Sequence, residues 1–225
     1  MRLQNLLIPT ALLAVAVVPL AAQTQLTDKS QINPATILDW STLGADGFTP
    51  TNPFTLSFAS QVSTDGDFIL AVDNVDWQGG FLPNETLLFA QDGATYIDLM
   101  FDQNLTAFGT QLWQKFFDPG SPMFTLQAFL DGTLVATYTT EASGGNDTNN
   151  GDAPFLGISD PDGFNQILLT SSGNTHGGNT FAINQELTLA AGTPTGTVPE
   201  PGTMSLLATG LVGLAGAGKW RQRKR

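Results

Sequence analysis

Residues 124–138 read Phe-Thr-Leu-Gln-Ala-Phe-Leu, then Asp-Gly, then Thr-Leu-Val-Ala-Thr-Tyr, and no other stretch constrains the fold as tightly. Asp131-Gly132 accepts positive φ at both central positions of a two-residue turn, so the flanking β-rich runs close into a hairpin of fixed register. The same pattern extends along the chain as short apolar runs, separated by turn residues at intervals of about 8 to 15 residues. Residues 54–58 alternate strictly, with Phe54, Leu56 and Phe58 on one face, and residues 96–101 set Ile97, Leu99 and Phe101 against Asp98. Further strands are expected at 68–72, 86–89, 107–113, 155–158, 165–170 and 180–189. Together these predict an all-β fold: about nine or ten strands in a two-layer antiparallel sandwich of jelly-roll type.

Charge separates the middle of the chain from its ends. Between residues 23 and 198 lie 19 acidic side chains and only two basic ones, Lys29 and Lys115, a net of −17 against −12 for the whole chain. Such a surface repels nucleic acid and anionic lipid. There is no cysteine, so an exported domain of this kind rests on burial of apolar surface, with bound cations as the other available support.

The ends carry addresses. Arg2, an apolar stretch over residues 6–20 and Ala21-Ala22-Gln23 form a secretory signal peptide over residues 1–22, cleaved after Ala22. An uncleaved anchor is the alternative, and Pro9 and Pro19 count against it because they interrupt a spanning helix. The acidic outer domain then occupies residues 23–191. A Pro/Gly/Thr linker over residues 192–202 contains Val198-Pro199-Glu200-Pro201, and an uncharged helix over residues 203–218 leads to the basic tail of residues 219–225. That helix would run about 24 Å, short of a hydrocarbon core near 30 Å. Lys219, Arg221, Arg223, Lys224 and Arg225 keep the tail cytoplasmic and the acidic domain outside. A plain single-span anchor is the competing reading of this helix.

In order, a Pro-Glu-Pro motif, a short apolar helix and a basic terminus, the tail resembles the PEP-CTERM sorting signals of Gram-negative bacteria that make exopolysaccharide. The resemblance implies an exosortase-like enzyme as partner, transient residence in the inner membrane and then a place at the cell surface or outside it. Extracellular polysaccharide is the further partner it implies. Between residues 95 and 190, Phe101-Asp102, Thr106-Ala107-Phe108-Gly109, the hairpin, Phe155-Leu156-Gly157-Ile158, Ile167-Leu168-Leu169-Thr170 and Phe181-Ala182-Ile183-Asn184 resemble the jelly-roll domain of many such proteins. Asn184 stands where that family often shows Asp, a departure that weakens the carry-over of a metal site at the last strand.

Catalytic residues are not expected. The one histidine, His176, lies in a glycine-flanked loop, no Gly-x-Ser-x-Gly elbow is present, and a glycosidase-like carboxylate pair is open only because acids are numerous. Asp65-Gly66-Asp67, Asp73 with Asp76, and Asp160-Pro161-Asp162-Gly163 read either as turns or as oxygen ligands for Ca²⁺. Trp40, Trp77 and Trp113 read either as core or as sugar platforms, and Trp77, between Asp76 and Gln78, is the foremost candidate for carbohydrate. Two functions follow: a structural or adhesive protein of the cell surface, or a carbohydrate-binding module.

Overall fold

The computed structural model describes residues 22–32, 36–56, 59–72, 80–91, 93–114, 123–141, 151–172, 181–184 and 186–191. These residues form eleven strands: β1 (Thr24–Leu26), β2 (Thr36–Asp39), β3 (Ala59–Ser63), β4 (Asp67–Val72), β5 (Thr86–Gln91), β6 (Tyr96–Gln114), β7 (Met123–Leu130), β8 (Thr133–Glu141), β9 (Phe155–Ser172), β10 (Phe181–Ile183) and β11 (Glu186–Ala191). The only helical turns among the described residues are two short 3-10 segments, Lys29–Gln31 and Trp40–Leu43. Every strand pairing is antiparallel, and the sheet runs β4-β5-β10-β6-β9-β7-β8. Beside this path, β3 and β11 pair with β6, β2 with β11, and β1 with β9.

The Asp-Gly turn closes as its sequence dictates. Asp131 has φ 50° and Gly132 φ 77°, and Leu130 pairs directly with Thr133. Asn165 on β9 fastens the turn from the side: its amide donates to Asp131 Oδ1 at 2.8 Å, and its own oxygen accepts from the Asp131 amide at 3.0 Å.

Four expectations are corrected. Residues 96–101 and 107–113 are one strand, β6, and residues 155–158 and 165–170 are also one, β9. The polar stretches Asp102-Gln103-Asn104 and Asp160-Pro161-Asp162-Gly163 looked like chain breaks, but they are bulges on either side of the Leu105–Phe164 pair, the first on β6 and the second on β9. The register slips there, between Met100 and Leu105 and again before Ala107. Pro161 donates no ladder bond and Gly163 takes φ 86°, so both fit at a bulge and bend the strand without ending it. Of the alternating run at 54–58 only residues 54–56 are described, and they form no strand of their own: Phe54 exchanges backbone bonds with Val62, and Leu56 donates to the Ala59 carbonyl, so they fold directly onto β3. Finally, the expected strand at 180–189 divides at Asn184, and the chain passes from pairing with β5 in β10 to pairing with β2 in β11.

Alternation then sorts side chains by face. Ile97 and Leu99 of β6, Phe124 and Leu126 of β7, and Ile167 and Leu169 of β9 point inward and are fully buried. They join Phe68 and Leu70 of β4, Leu88 of β5 and Phe181 of β10 in one apolar core. Rings from strands that are not neighbours in the sheet meet inside it, Phe124 of β7 with Phe181 of β10 at 6.3 Å, and Phe54, which bridges β3, edge-on to Phe68 of β4 at 5.4 Å. Each large side chain buried this way contributes roughly 2–3 kcal/mol, which is how a fold without disulfides is held. Among the described residues no helix is long and apolar enough to cross a membrane. The signal segment, the Pro-Glu-Pro motif at Val198, Pro199, Glu200 and Pro201, the apolar helix and the basic tail lie outside the described residues.

Candidate functional site

The residues that point away from the core on β3, β6, β9, β7 and β8 make one continuous surface. Cross-strand register sets them in rows. Gln61, Met100, Gln166, Phe129 and Leu134 form one row, and Ser63, Asp98, Leu168, Gln127 and Thr137 form the next. Tyr96, Thr170, Thr125 and Thr139 continue beyond them. Asp98 is the single charge in these rows, although the domain as a whole is strongly acidic. Met100 and Leu134 are 40% and 50% exposed, large apolar side chains standing in solvent.

A polar fork crosses the middle of this surface. Gln166 Nε2 donates to both oxygens of Asp98, at 2.9 and 3.1 Å. Burial among its neighbours pushes the Asp98 carboxyl above the ordinary carboxylate range, and the Gln166 bond only partly offsets this. Because the folded value lies above the unfolded one, folding favours the protonated acid. The penalty is absent at low pH and appears as pH rises through and beyond the unfolded value. Asp98→Asn is therefore expected to raise the melting temperature at pH 7 by a few degrees and to leave it unchanged near pH 3, as read by calorimetry at the two pH values.

A depression of about 440 Å³ lies between Thr27, Asp28, Gln111, Asp152, Pro154 and Phe155. Gln111 shapes its floor by donating to the carbonyls of Gly151 at 3.0 Å and Ala153 at 2.9 Å. Asp28 caps the first 3-10 turn, and its bonds to Ser30 hold its carboxyl below the ordinary range. Its polar groups thus serve the walls of the depression itself.

The structure separates the sequence candidates. Asp65 is engaged locally, accepting from the Thr95 amide at 2.7 Å and from the Thr95 hydroxyl. Burial opposes its ionisation, but the Thr95 bonds outweigh that and hold its carboxyl below the usual range. Asp67 begins β4 opposite Gln91, so Asp65 and Asp67 close the turn between β3 and β4. Asp160 is different: it is 1% exposed, Oδ1 accepts from the Asp162 amide at 2.9 Å, and Oδ2 is buried without a hydrogen-bond partner. Among the described residues no three His, Cys, Asp or Glu side chains gather as metal ligands. Trp40 and Trp113 are buried, at 0% and 2% exposure, so neither presents a flat face to solvent. Trp77, Asp73, Asp76, His176 and the retention residues Lys219, Arg221, Arg223, Lys224 and Arg225 lie outside the described residues.

Sequence reasoning passed over the outer sheet face. The sign was present at Asp98, set against Ile97 and Leu99, but its partner Gln166 is 68 residues away and only the register unites them.

An acidic β domain followed by a motif, an apolar stretch and a basic end defines a class: exported proteins that carry a C-terminal sorting tail. The family model of the PEP-CTERM protein-sorting motif matches residues 197–224, so this chain is a PEP-CTERM domain-containing protein. It is exported, held briefly in a membrane by its tail and processed by exosortase on its way to the cell surface. No curated protein matches the chain. Two solved structures are similar over part of it. One holds the CBM51-2 and INT domains of Clostridium perfringens ZmpB, with 16% identity over 69% of this chain and 32% of that one, at TM-score 0.31. The other is the enzymatically active domain of tailspike protein 4 from bacteriophage CBA120, with 13% identity over 70% of this chain and 20% of that one, also at 0.31. The chain spans about a third of the first and a fifth of the second, and at this TM-score neither likeness defines its fold or activity.

Proposed function

We propose that this protein loses its signal segment after Ala22, is released from the inner membrane of a Gram-negative cell by exosortase, and then serves a structural or adhesive role within extracellular polysaccharide. The outer domain in this reading is a two-layer sandwich of jelly-roll type. Its support is the meeting of Phe124 on β7 with Phe181 on β10, with β6 and β9 between them in the sheet order, and of Phe54 beside β3 with Phe68 on β4. The observation that carries the adhesive role is the outer face of β3, β6, β9, β7 and β8. Tyr96 and Phe129 offer rings for the apolar faces of sugars, while Asp98, Gln166 and Gln127 offer planar groups that bond pairs of hydroxyls. Low charge on this face spares a neutral glycan the acidity of the rest of the domain. The reading assigns no catalytic step.

The test is binding of the exported, processed protein to a glycan array and to polysaccharide from the producing cell. Saturable binding that weakens on the order of tenfold in Phe129→Ala supports the reading, since loss of one stacked ring costs about that much. Absence of saturable binding to every glycan would leave a purely structural matrix role in its place.

A further inference from the structure

Asp160 presents an unsolved electrostatic problem inside the fold. Its carboxylate is essentially buried, one oxygen is bonded only to the neighbouring Asp162 amide, and the other has no partner. A buried charge is tolerated when it is paired. The domain offers little to pair with it, because Lys29 and Lys115 are the only basic side chains between residues 23 and 198. Lys29 lies on the first 3-10 turn, beyond β1. The groups facing Asp160 are Tyr138 from β8 and Asp162 from its own strand, and β6 contributes no charge between Leu105 and Ala107. Burial, and then the charge of Asp160, push the Tyr138 hydroxyl above its usual range.

The register of β1 supplies a candidate cation. Thr24 pairs with Ser159, Gln25 with Ile158 and Leu26 with Gly157. β1 begins at Thr24, and its antiparallel register carried one step beyond that residue sets Gln23 toward Asp160. Gln25, two residues on and therefore on the same face as Gln23, reaches β8 and donates to the Thr139 carbonyl at 3.2 Å. Cleavage after Ala22 leaves the α-ammonium of the mature chain on Gln23.

We infer that Asp160 is the binding site for the mature amino terminus: the ammonium freed at Gln23 by signal cleavage pairs with Asp160 Oδ2 and locks β1 onto β9. The inference rests on the proposed cleavage after Ala22. Export thus completes the fold, since before cleavage the Gln23 nitrogen is a neutral amide. An N-terminal glutamine also reports on its own environment. Its free amine attacks its side-chain amide carbon, a new carbon–nitrogen bond closes the ring, and ammonia leaves. An amine held protonated by Asp160 is a poor nucleophile, so this cyclisation is slowed.

The experiment uses the full-length gene, with protein recovered after export as wild type, as Asp160→Asn, and with Gly-Ser inserted between Ala22 and Gln23. Mass spectrometry first reads the amino terminus, and a terminus other than Gln23 in the wild type overturns the cleavage reading itself. With Gln23 first, the wild-type α-ammonium is expected to titrate about one unit or more above its ordinary value near 8. A raised pKa means that the pairing stabilises fully below pH 8 and is lost as pH rises through the folded value, so thermal stability falls across that window. Asp160→Asn and the insertion should both restore the ordinary titration and flatten that pH dependence, and Asp160→Asn should lose ammonia faster. The insertion keeps Asp160, so it reads the proposal even if Asp160→Asn does not fold. An ordinary α-ammonium titration in the wild type overturns the proposal, and so does stabilisation of the insertion variant by millimolar Ca²⁺ to wild-type level, which would make Asp160 a cation ligand.

Discussion

Replacing Asn184 by alanine is expected to lower the stability of the outer domain by on the order of 3 kcal/mol, read as a shift of the urea midpoint without a change of slope. Asn184 is 2% exposed and lies where the chain leaves β10 for β11. Its side-chain oxygen accepts from the Thr110 hydroxyl at 2.9 Å and the Gln111 amide at 3.1 Å, and its Nδ2 donates to Gln111 Oε1 at 3.3 Å. Alanine strands these buried groups and leaves a small cavity, each loss worth about 1 kcal/mol or more. Aspartate, the residue often found here in the jelly-roll family this sequence resembles, separates two effects. It keeps the acceptor for Thr110 and Gln111 but sets a carboxylate against Gln111 Oε1. Gln111 cannot turn its NH₂ toward that carboxylate, because the group already serves the carbonyls of Gly151 and Ala153. Asn184→Asp should therefore be at least as damaging as alanine at pH 7 and recover as pH falls, since the protonated acid donates where the amide did.

The same residue shows what the sequence could and could not reveal. Local rules were enough wherever the signal was local: Asp131-Gly132 needs positive φ and obtains it, and inward Ile97, Leu99, Phe124 and Leu126 follow the two-residue period. They failed where two distant segments complete each other. Asp102-Gln103-Asn104 is a break when read alone. Beside the Leu105–Phe164 pair it becomes a bulge on β6, with Asp160-Pro161-Asp162-Gly163 the bulge on β9 at the other side of that pair, and the ladder resumes beyond both. Alternation alone also marked residues 54–58 as a strand, although the backbone bonds of Phe54 and Leu56 go to Val62 and Ala59 of β3 immediately downstream. Asn184 looked like a missing metal ligand, and its value lies in Thr110 and Gln111, more than 70 residues earlier. The acidic clusters divide for the same reason, since Asp65 finds Thr95 and Asp160 does not find a second partner on its own strand.

The largest change expected is in the tail, where Pro199→Ala combined with Glu200→Ala should leave the protein uncut and held in the membrane. Prolines at 199 and 201 fix φ and bias the residues before them to extended backbone, so the motif would resist joining any helix formed by the apolar run after it. A processing enzyme needs an accessible extended backbone at the membrane face. The apolar run that follows is too short to span comfortably, and Gly210, Gly213, Gly216 and Gly218 weaken it as a helix, features that suit a segment held for processing. Retention depends on other residues. Lys219, Arg221, Arg223, Lys224 and Arg225 place five positive charges within seven residues, and each is costly to move across a membrane. Neutralising Arg221, Arg223, Lys224 and Arg225 together should thus release more full-length protein into the medium, while the motif variant accumulates full-length in the membrane fraction. Intact mass spectrometry of protein from the cell surface reads both outcomes. The wild type is expected to end near Pro199, and a surface population that still extends through Arg225 would make the tail a permanent anchor.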